Sequence, residues 1–297
     1  MGPPGNRQKT AALCLVFPAA AGIDELLAGS LFELGAAGMA VTAEEFQVFF
    51  PPDSPAGAIR ERVKAQWEAL RRAGMPLPPF RMVIRQVPQR DWQKAWMEHF
   101  HAVTVGEKLV VAPPWETVEE RPGRILVRIY PGRAFGTGTH ETTQLMLEAL
   151  ADEWRPGMDV LDVGTGTGIL AVAAAKMGAH RVFAFDADPA AVVAARENAR
   201  RNRVSRKIFL WAADSPATVR RHTAFHLVLA NILSGVLLPM LPELVHVLRP
   251  GGRLVLSGIL AEEETKMRAA LNELPVEVVR VPGRGEWIGM ICQKRGK

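Results

Sequence analysis

One stretch, Val160-Leu-Asp-Val-Gly-Thr-Gly-Thr-Gly168, constrains this chain more tightly than any other. The short apolar run Val160–Val163 leads into a glycine-spaced turn and then into the helical pattern Ile169–Met177, closed by Gly178. Glycines there let the backbone turn tightly and approach a ligand that side chains would hold off. Asp186 stands 22 residues beyond Gly164, at the end of the next predicted strand, where a carboxylate can accept both hydroxyls of a ribose. Strand, glycines, helix and acid in this register predict a nucleoside-binding βαβ unit, with Gly164, Gly166 and Asp186 as binding residues.

The flanking pattern extends that unit. Asp188 and Pro189 open a helix to about Asn202, and strands are expected at 207–211, 225–230 and 253–257 with helices between them. A last pair at 276–281 and 287–292 encloses Pro282-Gly283. This series predicts an α/β, mostly parallel, doubly wound Rossmann-like sheet over 125–297, its closing hairpin adding an antiparallel strand. Ligands bind beyond the carboxyl ends of such strands.

Residues 1–90 follow another plan. A strand at 11–17 precedes Ile23, Leu26, Leu27, Leu31 and Leu34 at helical spacing. Extended runs at 39–41 and 46–50 come next, then a helix opened by Ser54 and Pro55, and a strand at 80–87. The order β-α-β-β-α-β predicts a smaller ferredoxin-like α+β domain. Between the domains, 91–124 forms a connector with a helix carrying Trp92, Trp96 and Phe100 and a Pro/Gly-bearing stretch from Pro113 to Gly123. Glu98-His99-Phe-His101 imitates a ligand cluster, but two histidines without a third partner do not make a site, so no metal is expected.

Composition narrows the classes. The chain has 297 residues, two domains' worth, and its 48% apolar content suits folded domains. Cys14 and Cys292 offer neither metal spacing nor a disulfide framework, which points to a reducing cytoplasm. Arg7 and Lys9 before Ala11–Phe17 imitate a secretory signal, but seven apolar residues running into a helical pattern read as a first strand. No stretch is apolar for long enough to span a membrane. The net charge of +5 is spread evenly: residues 1–115 carry 12 cations and 11 acids, the rest 24 and 20. One dense run, Arg200, Arg201, Arg203, Arg206 and Lys207, follows a helix whose end favours cations. No sequence-specific nucleic-acid binding is expected.

The glycines alone do not choose the cofactor. Gly166-Thr-Gly168-Ile-Leu-Ala171 also satisfies the dinucleotide pattern, so an NAD-linked oxidoreductase stands as an alternative. Asp162 leans away from it. Two residues before the first glycine, a carboxylate opposes a pyrophosphate but suits the ammonium and sulfonium of S-adenosyl-L-methionine. Asp214, after the third strand, is placed to meet an adenine amine.

At Asp162-Val-Gly-Thr-Gly-Thr-Gly168 the chain resembles the class I S-adenosylmethionine-dependent methyltransferases. Pro131-Gly-Arg-Ala-Phe-Gly-Thr-Gly-Thr-His-Glu-Thr-Thr143, Ala230-Asn-Ile-Leu233 and Leu256-Ser-Gly-Ile-Leu260 resemble segments of the ribosomal-protein-L-eleven methyltransferases (PrmA-like). Leu31-Phe-Glu-Leu-Gly-Ala-Ala-Gly38 and Asp91-Trp-Gln-Lys-Ala-Trp96 extend the likeness over nearly the whole chain. Arg133 and Glu141 stand where the family varies, and the N-terminal domain diverges most.

The resemblance implies a seven-stranded methyltransferase sheet and an enzyme that methylates lysine side chains and the N-terminal amine of a large-subunit ribosomal protein. The small N-terminal domain would recognise that substrate. Matching positions make Thr143, Gly164, Asp186 and Asn231 cofactor contacts. Phe135-Gly-Thr-Gly-Thr139, a glycine loop feeding a helix from about Glu141, suits the cofactor carboxylate, with Phe135 beside it. His140 reads as a neutral surface histidine. Asn231-Ile-Leu-Ser replaces the Asn-Pro-Pro-aromatic sequence of amide methyltransferases, and Asn231 is the candidate catalytic residue, its carbonyl orienting the amine. A cytoplasmic monomer is expected, and a non-catalytic ribosome-associated binding protein is the remaining alternative.

Overall fold

The computed structural model describes residues 11–18, 27, 31, 34–36, 38–41, 45–51, 53–72, 77–88, 97, 100–119, 121–130, 135–219 and 225–296. The chain divides into two compact units, Met1–Phe100 and His101–Lys297.

In the first unit, β1 (Ala11–Pro18), β2 (Gly38–Val41), β3 (Glu45–Phe50) and β4 (Val83–Pro88) form an antiparallel sheet in the order β2-β3-β1-β4. This is the ferredoxin-like order. Alternation decides the faces: Leu13, Leu15 and Phe17 join Phe46, Val48 and Phe50 in one core, while Cys14, Val16 and Phe49 share the other face. Helix α1 (Ala56–Arg72) buries Ile59, Val63 and Trp67, four residues apart, against the first of these. The Trp67 indole N–H donates to the Pro78 carbonyl at 2.9 Å. The expected strand at 80–87 begins later, at Val83. Most of the first predicted helix, from Ile23 to Leu34, lies outside the described residues, as do Trp92, Trp96, Glu98 and His99 of the connector. Phe100 is half-buried and His101 exposed.

The second unit opens with β5 (Val103–Val105), β6 (Leu109–Ala112) and β7 (Ile125–Arg128), a small sheet in which β6 pairs antiparallel with β5 and parallel with β7. Helix α2 (Glu141–Glu153) leads to β8 (Asp159–Val163), α3 (Ile169–Lys176), β9 (Arg181–Asp186), α4 (Pro189–Arg201) and β10 (Ile208–Ala212). Then follow β11 (Phe225–Asn231), α5 (Ser234–Val247), β12 (Leu248–Leu260), α6 (Glu264–Asn272), β13 (Val276–Arg280), β14 (Gly283–Arg284) and β15 (Trp287–Lys294). The main sheet runs β10-β9-β8-β11-β12-β15-β13, with β14 as a short addition on β15. This is the doubly wound, seven-strand path. β15 is antiparallel to both neighbours, so the closing hairpin inserts its second strand between β12 and β13.

Both faces of this sheet are covered, which is why β11 reads as a continuous apolar run. Leu227 and Leu229 pack with Met146, Val172 and the small sheet's Val111. Val228 and Ala230 pack with Leu237 and Leu241 of α5 and Met267 of α6. The chain order reverses where β8 sends its neighbours to opposite sides, β9 on one and β11 on the other. A crevice opens there at the carboxyl ends.

Candidate active site

That crevice is a cavity of about 570 Å3. Its floor is the turn after β8. Gly164 (φ +69°) and Gly166 (φ +53°) hold a backbone conformation that side chains resist. Space forbids them as well: a Cβ on Gly164 would meet Ile232 Cγ2 at 2.5 Å, and one on Gly166 the Phe135 carbonyl oxygen at 2.3 Å. A second loop clamps the turn from above. The Thr167 N–H donates to the Phe135 carbonyl at 2.9 Å, and the Thr167 hydroxyl to the Gly136 carbonyl. Asn198 of α4 ties both to the incoming chain, donating to the Thr167 carbonyl and accepting from the Tyr130 N–H, each at 2.9 Å.

Of the predicted binding residues, Phe135, Gly164, Gly166, Asp186, Asp214 and Asn231 all line the cavity. Asp186 ends β9 half-buried. Its Oδ2 accepts from the Gly166 N–H at 2.8 Å and its Oδ1 from the Asp188 N–H at 3.0 Å. These bonds fix the carboxylate plane and leave each oxygen a lone pair for a diol. Asp214 is exposed at the rim.

Two predicted residues do not line it. Thr143, in the first turn of α2, is fully buried. Asp162 lies fully buried beneath the glycine turn, where its Oδ2 accepts from the Thr165 hydroxyl (2.6 Å) and the Ala171 N–H (3.1 Å). The carboxylate therefore organises the turn from below, at the cost of desolvation. Burial, with the nearby Asp186 charge adding to it, pushes the Asp162 carboxyl up to about 7 against the pull of those two donors. The direct contact expected of Asp162 is replaced by a charge acting from under the backbone.

Among the described residues, three buried side-chain oxygens have no hydrogen-bond partner: Thr143 Oγ1, Asp162 Oδ1 and Asn231 Oδ1. Of the three residues only Asn231 lines the cavity, where a ligand N–H can reach its oxygen and a pyrophosphate, itself all acceptors, cannot satisfy it.

His140 departs from the surface reading. Half-buried, it lines the cavity with its ring edge-on to Phe135 (5.2 Å) and Trp287 (5.5 Å). As the residue capping α2 it accepts the Thr142 N–H at Nδ1 (3.3 Å), and the same nitrogen lies 2.8 Å from the Thr142 hydroxyl. Trp287 and Gly258 were not singled out from the sequence as site residues. Trp287 reaches the cavity because β15 runs antiparallel and starts at the edge where its neighbours end, opposite Leu260. The antiparallel hairpin was the one signal that pointed to it.

Comparison with known proteins now bears on this geometry. The family model described as ribosomal protein L11 methyltransferase (PrmA) matches residues 25–295. The chain belongs to that family. It is 42% identical over 219 residues to the ribosomal protein L11 methyltransferase of Geobacter metallireducens, covering 73% of this chain and 70% of that one. With the namesake from Trichlorobacter lovleyi it shares 35% over 282 residues, 89% and 92% of the two chains. The crystal structure of a ribosomal protein L11 methylase from Lactobacillus delbrueckii subsp. bulgaricus superimposes with a TM-score of 0.62 at 34% identity, over 66% of this chain and all of that one. The protein is a methyltransferase, and nothing in these likenesses favours an oxidoreductase. No helix among the described residues is long and apolar enough to cross a membrane.

Proposed function

We propose that this enzyme methylates amino groups, lysine side chains and the N-terminal amine, of a large-subunit ribosomal protein, with S-adenosyl-L-methionine as donor. One observation carries the site chemistry: an amide oxygen, Asn231 Oδ1, is buried without a partner at the end of β11, in a cavity whose wall combines Val163, Phe185, Ile232 and Met240 with the carboxylates of Asp186, Asp188 and Asp214. When bound, the cofactor supplies an electrophilic methyl group on a sulfonium. Asp186 would accept the ribose hydroxyls, Asp214 would face the adenine amine, and the 135–139 loop would hold the methionine end, with Thr143 buried in the first turn of α2 behind the wall. Asp162 sets the potential from below.

The chain's remaining task is to present the amine uncharged and aligned. A lysine amine titrates near 10.4 in water; desolvation against the apolar part of the wall lowers that value, while the Asn231 carbonyl orients the amine toward the methyl donor. Residues 1–90 recognise the substrate, 91–124 connect, and the enzyme works as a cytoplasmic monomer. Mass spectrometry of the purified ribosomal protein after incubation with enzyme and cofactor tests the reading, since each methyl adds its mass at a mapped amine. Asn231→Ala is expected to lower turnover at least tenfold. Full turnover with unchanged cofactor affinity defeats the assignment of Asn231.

A further inference from the structure

The basic run from Arg200 to Lys207 takes no part in the site described above. It forms the end of α4 and the turn into β10, and residues 196–207 hold six cations against one acid, Glu197. Arg200, Arg201, Arg203, Arg206 and Lys207 are all exposed, and none forms an ion pair among the described residues. The helix terminus accounts for cations in its last turn, Arg200 and Arg201, but its field fades before the three that follow. A solvated cluster of this density repels itself and gains only from a polyanion.

Aromatic rings flank these charges on both faces of the sheet edge, Tyr130 on the side of α4 and Phe209 on the opposite face. Phe209, two residues past Lys207, is 48% exposed on the edge strand and stacks on Phe183 of β9, with centroids 5.0 Å and planes 20° apart. The Arg181 guanidinium lies 5.8 Å from the Phe183 centroid while it pairs with Asp159. A backbone bond from the Val182 N–H to the Lys207 carbonyl (2.8 Å) sets the two strands side by side at this point. Arg201, on α4, covers the exposed Tyr130 ring at 5.2 Å.

We propose that this edge of the catalytic unit binds single-stranded nucleic acid without sequence preference, the cations meeting phosphates and the Phe209 face receiving a base. An anionic membrane would use the charges but leaves a flat exposed ring stack without a purpose, whereas unpaired bases stack on such rings whatever their identity. The surface is distinct from the cavity. Asp188, which lines the cavity, precedes the first residue of α4, and the run lies at the far end of that helix, about 20 Å away at 1.5 Å per residue.

The test uses the full-length enzyme and fluorescently labelled RNA and DNA oligonucleotides of about 16 nucleotides, followed by anisotropy across a salt series. Saturable binding is expected, with log affinity falling against log salt at a slope of about −2 to −4, as for three to five phosphates on a single strand. Arg200→Glu, Arg206→Glu and Lys207→Glu combined are expected to weaken binding at least tenfold. Phe209→Ala, which alters no charge, weakens it severalfold at unchanged slope and is the independent check should the triple variant not fold. Both variants retain wild-type cofactor affinity and methylation of the free protein substrate. Equal RNA and DNA affinity identifies phosphate and base as the shared ligand, and a preference for RNA adds the 2′-hydroxyl. No saturation at low salt overturns the proposal, as does binding indifferent to both variants, or capture by anionic phospholipid vesicles with no oligonucleotide bound.

Discussion

Asp162 makes cofactor binding a proton-linked event. Its carboxyl is raised to about 7 by burial, and its Oδ1 has no partner. Binding of a cation above the turn favours the ionised form, so the group loses a proton on binding wherever it was protonated before. If the complex is ionised throughout, affinity follows the ionised fraction of the free enzyme, about 0.09 at pH 6 and about 0.9 at pH 8. The cofactor should therefore bind about tenfold tighter at pH 8 than at pH 6, releasing about half a proton per site at pH 7. Calorimetric titration in buffers of different ionisation enthalpy reads both quantities without any turnover. Asp162→Asn keeps an acceptor for Thr165 and Ala171 and removes the charge, and it should flatten the pH profile while weakening binding at pH 8. The unliganded enzyme should show the opposite slope. A carboxyl raised in the folded state contributes stability at low pH that is lost as pH rises from about 4 through about 7, up to about 4 kcal/mol in all, and the wild type minus Asp162→Asn difference isolates it. A pH-independent Kd with no proton release, or a variant that keeps the wild-type profile, refutes this reasoning.

Two further substitutions probe the walls of the cavity. Gly164→Ala must place a side chain at φ +69° and 2.5 Å from Ile232 Cγ2; the conformation alone costs about 1–2 kcal/mol. Titration should show cofactor affinity lowered at least tenfold, and an affinity equal to wild type would contradict the close-approach role of the glycine. Asn198→Ala leaves the Tyr130 N–H and the Thr167 carbonyl unpaired, about 1–3 kcal/mol for each buried group. Thermal denaturation should show a lower Tm and calorimetry a weaker cofactor complex, because the two loops lose their shared anchor; an unchanged Tm would show that water replaces the amide at no cost.

Much of the site was legible because its signals are local. The turn after β8 announces itself through consecutive residues, and Asp186 and Asn231 fall at the ends, and Asp214 just past the end, of short apolar runs bounded by turn residues. The helix start at Asp188 and the order of elements in the second unit follow from the same short-range chemistry. These features depend on neighbours a few residues away, which the sequence displays in full.

Pairing and burial fixed the rest, since both are properties of segments far apart in the chain. Asp162 sits next to its glycines in sequence, yet only the packing of α3 over the turn sends it beneath the floor and makes it titrate near neutrality. Trp287 joins His140 and Phe135 only because β15 enters between β12 and β13 in the reverse direction. Phe183 and Phe209, 26 residues apart, stack only through the register of β9 with β10. The amino-acid order specified which groups were available. Desolvation and strand register, which depend on the whole folded chain, decided what each of them faces.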